Sequence, residues 1–168
     1  VLCRKEGRLC RLDVLPSPFS DRPIALSSDG ARIALRLDEQ TIGVWTVRDG
    51  HLIGRYRYQP DKDSYGRGVE PLSLALDHTG RRVALADRSK VVRLWDVVPG
   101  DDSEPRLIEE PDGVFDARFA DGKPLLLTNA SNDHVTVYDA VTRTKLLMAP
   151  QGLQGHYQAF ASDVTAIT

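Results

Sequence analysis

The side chains in this sequence that are best suited to catalysis or metal binding are its four histidines. His51, His78, His134 and His156 lie in separate parts of the chain, and no two have the spacing of a metal-ligand pair. A histidine without such a partner is usually structural or solvated. The histidines therefore indicate neither a metal site nor an acid–base pair.

Two acidic segments also deserve testing as sites. The run from Asp61 to Gly66 resembles the start of a calcium loop, but Tyr65 and Leu72 stand where that loop needs oxygen ligands. Glu109 and Glu110 are adjacent on a predicted strand and point to opposite faces, so solvation explains them better than shared chemistry. No phosphate-binding glycine loop or nucleophile elbow occurs. We expect no enzymatic activity and no cofactor.

Composition describes a globular protein. Of the 168 residues, 41% are hydrophobic and 27% charged, and the formal net charge is −2. We found no basic track for nucleic acid, no apolar run long enough to span a membrane and no signal segment. Cys3 and Cys10 lie on facing strands of a predicted hairpin, where small buried thiols are more common than reactive ones. We expect a soluble, cytoplasmic protein without nucleic-acid or membrane partners.

The elements that must position these side chains form a repeat. Each unit has a glycine turn, an apolar strand and an alternating strand that ends in an aromatic residue. The glycine and the aromatic residue are 15, 15 and 16 positions apart in the three units. Repetition of this kind means that one supersecondary unit is used several times. The pairs are Gly30 with Trp45, Gly80 with Trp95, and Gly122 with Tyr138.

Short runs of Val, Leu and Ile with period-two alternation predict an almost entirely β protein. Three units have four strands each, and an incomplete unit lies at either end of the sequence. The predicted boundaries are 1–21 for a partial unit, 22–68, 69–113 and 114–155 for whole units, and 156–168 for the start of another.

The segment Arg93-Leu94-Trp95-Asp96-Val97 resembles the hallmark of WD-repeat β-propeller blades, and Tyr138-Asp139 is a conservative form of it. The turn at Ser28-Asp29-Gly30 fits the family's first hairpin. The Gly-His pair that usually precedes each blade occurs once, at Gly155-His156, so the repeats are degenerate and the family's buried His–Ser–Asp–Trp network is not expected in most units. The resemblance implies a partial propeller whose Trp45, Trp95 and Tyr138 pack against neighbouring blades.

An open arc of blades would leave apolar faces in water, and propellers close with about four to eight blades. Three routes to closure remain open. The chain is part of a longer propeller, a second copy completes the ring, or segment 163–167 pairs with hairpin 1–13 to give four blades. We favour the first, because both ends of the sequence fall inside predicted blades.

The resemblance implies a non-catalytic scaffold that presents loops to a protein or peptide partner. The alternative is a sensor or regulatory module of a larger protease, kinase or NTPase. Segment 57–70 breaks the repeat, and its aromatic and arginine side chains are typical of interfaces, as are the mixed charges of the turns beside it. We expect loop substitutions there to change stability by no more than about 0.5 kcal/mol. The predicted partner-binding residues are Tyr58, Tyr65, Arg67, Arg88, Lys90 and His134.

Overall fold

A computed structural model describes residues 2–5, 8–11, 23–60, 65, 68, 70–87, 90–100, 104–110, 112–130 and 134–150. Within these ranges all regular structure is β. The strands are β1 Leu2–Lys5, β2 Arg8–Arg11, β3 Ile24–Leu26, β4 Arg32–Arg36, β5 Thr41–Thr46, β6 Leu52–Arg57, β7 Pro71–Leu76, β8 Arg82–Asp87, β9 Val91–Asp96, β10 Arg106–Glu109, β11 Val114–Phe119, β12 Leu125–Ala130, β13 His134–Asp139 and β14 Lys145–Pro150.

Three four-stranded antiparallel sheets follow one another along the chain, which confirms the predicted repeat. Blade 1 is β3–β6, blade 2 is β7–β10 and blade 3 is β11–β14, each with its strands in sequence order. Trp45, Trp95 and Tyr138 lie on the third strands. β1 and β2 pair as a separate hairpin in which Cys3 is opposite Cys10. The predicted further blade at 156–168 lies outside the described residues.

Glycines in the turns between first and second strands have a left-handed backbone. The φ angles of Gly30, Gly80 and Gly122 are 69°, 66° and 64°, which is unfavourable for a residue with a Cβ atom. Gly80 is also close to blade 1, because a Cβ atom there would lie 2.7 Å from the side chain of Arg32. Arg32 Nη1 donates a hydrogen bond of 3.0 Å to the Gly80 carbonyl. This turn therefore links blades 1 and 2.

Apolar side chains pack between the successive described blades and form two junctions, which hold the two largest clusters of the core. In the first junction, Trp95 and other residues of blade 2 pack with Ile42, Val44 and Tyr56 of blade 1. In the second, Tyr138 of blade 3 packs with small side chains of blade 2, including Ala84. The prediction that these two aromatic residues pack against a neighbouring blade is confirmed.

Trp45 differs from its two counterparts. It is buried with Ile33 and Leu35 of its own blade, on the face turned away from blade 2. A Cβ atom at Gly43 would lie 2.2 Å from the Trp45 ring, so the ring lies directly over the backbone there. Trp45 is a core residue as predicted, but the described contacts that bury it are within blade 1.

Two faces of this arrangement carry the connections. The upper face holds the segments that join the fourth strand of one blade to the first strand of the next, together with the turns between second and third strands. The lower face holds the turns between first and second strands and those between third and fourth strands. The described residues of segment 57–70 that follow β6, together with Lys90, therefore lie at the upper face, as the sequence predicts.

Candidate interaction face

The structure places some of the predicted partner-binding residues on the upper face. Tyr65 is 82% exposed in the segment between β6 and β7. Lys90 is exposed immediately before β9. His134 is the first residue of β13 and is half-buried. Arg67 and Arg88 lie outside the described residues.

Tyr58 was wrongly predicted to be an exposed loop residue. Its side chain is 3% exposed, because the backbone N–H of Tyr58 donates 2.9 Å to the Gln40 carbonyl and continues the sheet for one residue beyond β6. The ring packs edge-on against Trp95 with centroids 6.4 Å apart. Tyr58 is therefore a core residue of the first junction, and Tyr58→Ala would remove core contacts rather than leave stability unchanged.

The Tyr58 hydroxyl is buried without a hydrogen-bond partner among the described residues. Burial raises the pKa of this phenol to about 12, and the charges that act on it belong to Arg36, Glu70, Asp87 and Arg93. Four charged groups and one unpaired hydroxyl therefore lie together at the upper end of the first junction.

Arg93 and Asp87, two of these four charged residues, form a buried ion pair. Arg93 Nη1 lies 2.6 Å from Asp87 Oδ2, and the two side chains are 6% and 0% exposed. Arg93 Nη2 also donates 3.1 Å to the Gln59 carbonyl of blade 1, and the guanidinium lies 5.8 Å from the centre of the Tyr58 ring. This pair was not predicted, although the period-two alternation of a strand puts Arg93 on the same face as Trp95 and so pointed to its burial.

Arg36 and Glu70 form a second ion pair with a different environment. Arg36 Nη1 donates to Glu70 Oε2, and the Arg36 side chain is 8% exposed whereas that of Glu70 is 69% exposed. Arg36 Nε donates 2.8 Å to the Asp38 carbonyl, which fixes the orientation of the guanidinium. Arg36 belongs to blade 1 and Glu70 directly precedes blade 2, so this pair crosses the junction at the upper face.

Glu110 corrects the expectation that Glu109 and Glu110 are both solvated. Glu109 is exposed, but Glu110 is 3% exposed in the second junction. Glu110 Oε1 accepts hydrogen bonds of 2.8 Å from Thr128 Oγ1 and 2.7 Å from the Tyr138 hydroxyl. The pKa of Tyr138 is raised, first by burial and then by this bond to Glu110. Glu110 is therefore a structural acceptor between blades 2 and 3.

A cavity of about 470 Å³ runs along the first strands of all three blades. The Asp116 carboxylate in the wall of this cavity accepts hydrogen bonds of 2.7 Å from Ser73 Oγ and Arg118 Nε. Both of its oxygens are therefore hydrogen-bonded to neighbouring side chains. The apolar side chains Ile24, Leu26 and Leu72 line the same space. These side chains form a wall between blades, in which the Ser73 hydroxyl and the Asp116 carboxylate link blade 2 to blade 3.

The turns at the lower face are joined by His78. Its Nδ1 atom lies 2.7 Å from Asp121 Oδ1 in the equivalent turn of blade 3, and both side chains are partly exposed. The hydrogen bonds of Asp121 to His78 and Ser28 hold the pKa of its carboxyl below the ordinary value. His78 therefore has a structural partner in the equivalent turn of blade 3.

Within the part of the chain that the structure describes, no group of three or more His, Cys, Asp or Glu side chains could hold a metal ion. The same part contains no helix that is long and apolar enough to cross a membrane.

The three blades, their antiparallel order and the upper-face loops define the class of fold: they are WD40-type propeller blades. Among 1003 matching chains of solved structures, the structure of U3-55K superimposes with a TM-score of 0.62 and 18% identity over 82% of this chain and 41% of that one. The crystal structure of RRP9 WD40 repeats matches with a TM-score of 0.62 and 17% identity, over 82% of this chain and 40% of that one.

These matches show the fold, and the chain spans about two fifths of the length of either structure. No protein-family model and no curated protein matches the sequence. The repeats are thus degenerate in sequence, whereas the blade architecture is retained.

Proposed function

We propose that this chain is part of a non-catalytic propeller scaffold whose upper face binds a protein or peptide partner. The observation that carries the proposal is the exposure of Tyr65. Tyr65 is 82% exposed in a segment that interrupts the repeat and joins strands of different blades, and tyrosine is among the residue types enriched at binding hot spots. Solved WD40 structures have the same fold.

Mixed charge on the described upper face favours a protein or peptide over nucleic acid. Lys90 is exposed there together with acidic side chains such as Asp38, Glu39 and Asp112. Nucleic-acid binding would need a continuous basic track to release counterions along the phosphate backbone. A mixed rim around an aromatic side chain is typical of protein recognition.

The ring is closed, in this proposal, by further blades of the same protein. Ile24 and Leu26 of β3 are each 58% exposed, whereas their counterparts Leu74 and Leu76 of β7 are 8% and 6% exposed because blade 1 covers them. The solved WD40 structures are about twice as long as this chain, so additional blades are the natural cover for Ile24 and Leu26. A second copy of the chain is the alternative cover.

Partner capture tests the scaffold role. The chain carrying Tyr65→Ala and Lys90→Ala is compared with the parent in pull-downs analysed by mass spectrometry. Val141→Ala is the control, since Val141 is 49% exposed in a lower-face turn. We expect the double variant to lose partners that the control retains, with unfolding free energies within about 0.5 kcal/mol of the parent. Retention of every partner by the double variant would place the binding surface elsewhere.

A further inference from the structure

Arg36 requires an anion more than Glu70 requires a cation. The Arg36 guanidinium is buried, so an opposite charge must compensate for its lost hydration. The Glu70 carboxylate is largely exposed and keeps most of its hydration, so it gains little free energy from the contact with Arg36. An external anion could therefore replace Glu70 without uncovering the cation.

The adjacent Asp87–Arg93 pair shows the contrast. Asp87 is completely buried, so no external group can take its place without opening the junction. Arg36 differs because its counter-ion approaches from the solvent side, in the segment directly before β7. The two arginines have the same chemistry, but only the anion beside Arg36 is exchangeable.

A second observation at the same place also indicates a ligand. The Tyr58 hydroxyl is buried and unpartnered among the described residues, and it interacts electrostatically with Arg36 and Glu70. A buried hydroxyl without a partner is costly, and an anion oxygen is a suitable acceptor for it. Arg36 is oriented by the Asp38 carbonyl, so its donors are held in place before an anion binds.

We propose that Arg36 and the Tyr58 hydroxyl form an anion-binding site at the upper end of the first junction, which Glu70 occupies until an acidic side chain of a protein partner displaces it. The ligand class is a carboxylate or phosphate group on a peptide. This inference depends on the proposed function, since it names the chemistry by which the upper face recognises its partner.

The test is to remove the Glu70 carboxylate, which competes with an external anion for Arg36. The probes are a fluorescein-labelled peptide of alternating aspartate and glycine, the same peptide with phosphoserine in place of aspartate, and inorganic phosphate as a competitor. Binding is measured by fluorescence anisotropy for the parent, Glu70→Gln and the matched control Glu109→Gln. Glu109 is an exposed strand residue outside the Arg36–Glu70 pair, so its substitution changes the net charge equally without removing the competitor.

Glu70→Gln is expected to bind the acidic peptide about tenfold more tightly than the parent, because an intramolecular competitor at an effective concentration in the millimolar range has been removed. Glu109→Gln should differ from the parent by no more than about twofold, as for other exposed charges. Equal gains in both variants, or no gain in Glu70→Gln, would overturn the proposal. Preference for the phosphoserine peptide, with competition by inorganic phosphate, would identify phosphate as the natural group.

Two substitutions, each combined with Glu70→Gln, test whether the anion binds to Arg36 and to the Tyr58 hydroxyl. Arg36→Lys keeps the charge but loses the planar donor fork, and the gain in affinity should disappear. Tyr58→Phe keeps the ring, and affinity should fall by about threefold through loss of one donor. Fluorescence of the two buried tryptophans, Trp45 and Trp95, reports whether each variant is folded. If Arg36→Lys does not fold, the difference in peptide affinity between Glu70→Gln and Glu109→Gln still tests the proposal.

The peptide-binding assay and the pull-down together distinguish a wrong anion site from a wrong scaffold role. If Tyr65→Ala and Lys90→Ala abolish partner capture but Glu70→Gln gains no affinity, the upper face binds partners without this site. If Glu70→Gln gains affinity but the parent captures no partner, the site exists and the scaffold role is wrong.

Discussion

The junction between blades 1 and 2 and the junction between blades 2 and 3 share a backbone arrangement but differ in their side chains. In both, the residue after the fourth strand donates its N–H to the carbonyl that precedes the third strand, at 2.9 Å for Tyr58 and 2.7 Å for Glu110. Tyr58 then packs on Trp95, whereas Glu110 accepts hydrogen bonds from Tyr138 and Thr128. One backbone position thus supplies an aromatic contact in one junction and an acceptor in the other.

The difference shows how degenerate repeats can keep one architecture. The first junction combines aromatic rings with a buried ion pair, and the second combines small side chains with a hydroxyl–carboxyl cluster. Each solution satisfies the same requirement, which is to fill the space between two sheets without leaving a buried charge unpaired. Either set of side chains meets this requirement, so the two junctions need not be similar in sequence.

The largest expected effect is that of Trp95→Ala in the first junction. Trp95 is 1% exposed and contacts both Tyr56 and Tyr58, so truncation leaves a large cavity between two blades. We expect a loss of about 4–5 kcal/mol in the free energy of unfolding, measured by urea denaturation. A loss below about 1 kcal/mol would mean that the first junction does not depend on aromatic packing.

Asp87→Ala should have the next largest effect. It leaves the Arg93 guanidinium buried without its carboxylate, which costs about 3 kcal/mol. The value is at the lower end of the range for broken buried pairs because Arg93 still donates to the Gln59 carbonyl. The double substitution Asp87→Leu with Arg93→Met should recover most of this loss. If it does not, the pair has a role beyond charge compensation.

The fold could be predicted from the sequence, whereas the contents of the junctions could not. The spacing of Gly80 to Trp95 and period-two alternation are local signals, and both led to the observed blades. The burial of Tyr58 and Glu110 results from a hydrogen bond between distant parts of a blade, which no local pattern reveals. Of the predicted interaction residues, Tyr65 and Lys90 are exposed, and their role in binding stays a prediction.

Tyr138→Phe examines the second junction by removing one donor to Glu110 while keeping the ring. Hydrogen bonds to such acceptors contribute about 1–3 kcal/mol, so we expect a loss of about 2 kcal/mol in the free energy of unfolding. Thr128→Val should behave similarly, and the two losses should not add, because both hydroxyls donate to one oxygen of Glu110. Full additivity would contradict a shared cluster.

Tyr58→Phe is the counterpart in the first junction and should have the smallest effect at neutral pH. The hydroxyl that it removes has no hydrogen-bond partner among the described residues, and such a buried hydroxyl is costly, so the free energy of unfolding should stay the same or rise by up to about 1 kcal/mol. The same atom change, a tyrosine to a phenylalanine at a blade junction, should thus cost much less in the first junction than in the second. Similar losses for the two variants would show that the Tyr58 hydroxyl is satisfied in solution.

Alkaline pH should separate Tyr58→Phe from the parent. Burial raises the pKa of Tyr58 to about 12 in the folded state, from the ordinary tyrosine value of about 10. A raised pKa stabilises the folded protein fully below pH 10, and this contribution is lost as the pH rises towards 12, because the unfolded chain releases the proton first.

Parent and variant, compared by urea denaturation between pH 9 and pH 12, should therefore diverge. The parent should lose up to about 2 kcal/mol more than Tyr58→Phe, since each pKa unit corresponds to about 1.4 kcal/mol. Parallel curves would mean that the phenol ionises as readily in the folded protein as in the unfolded chain, and the upper end of the first junction would then be open to water.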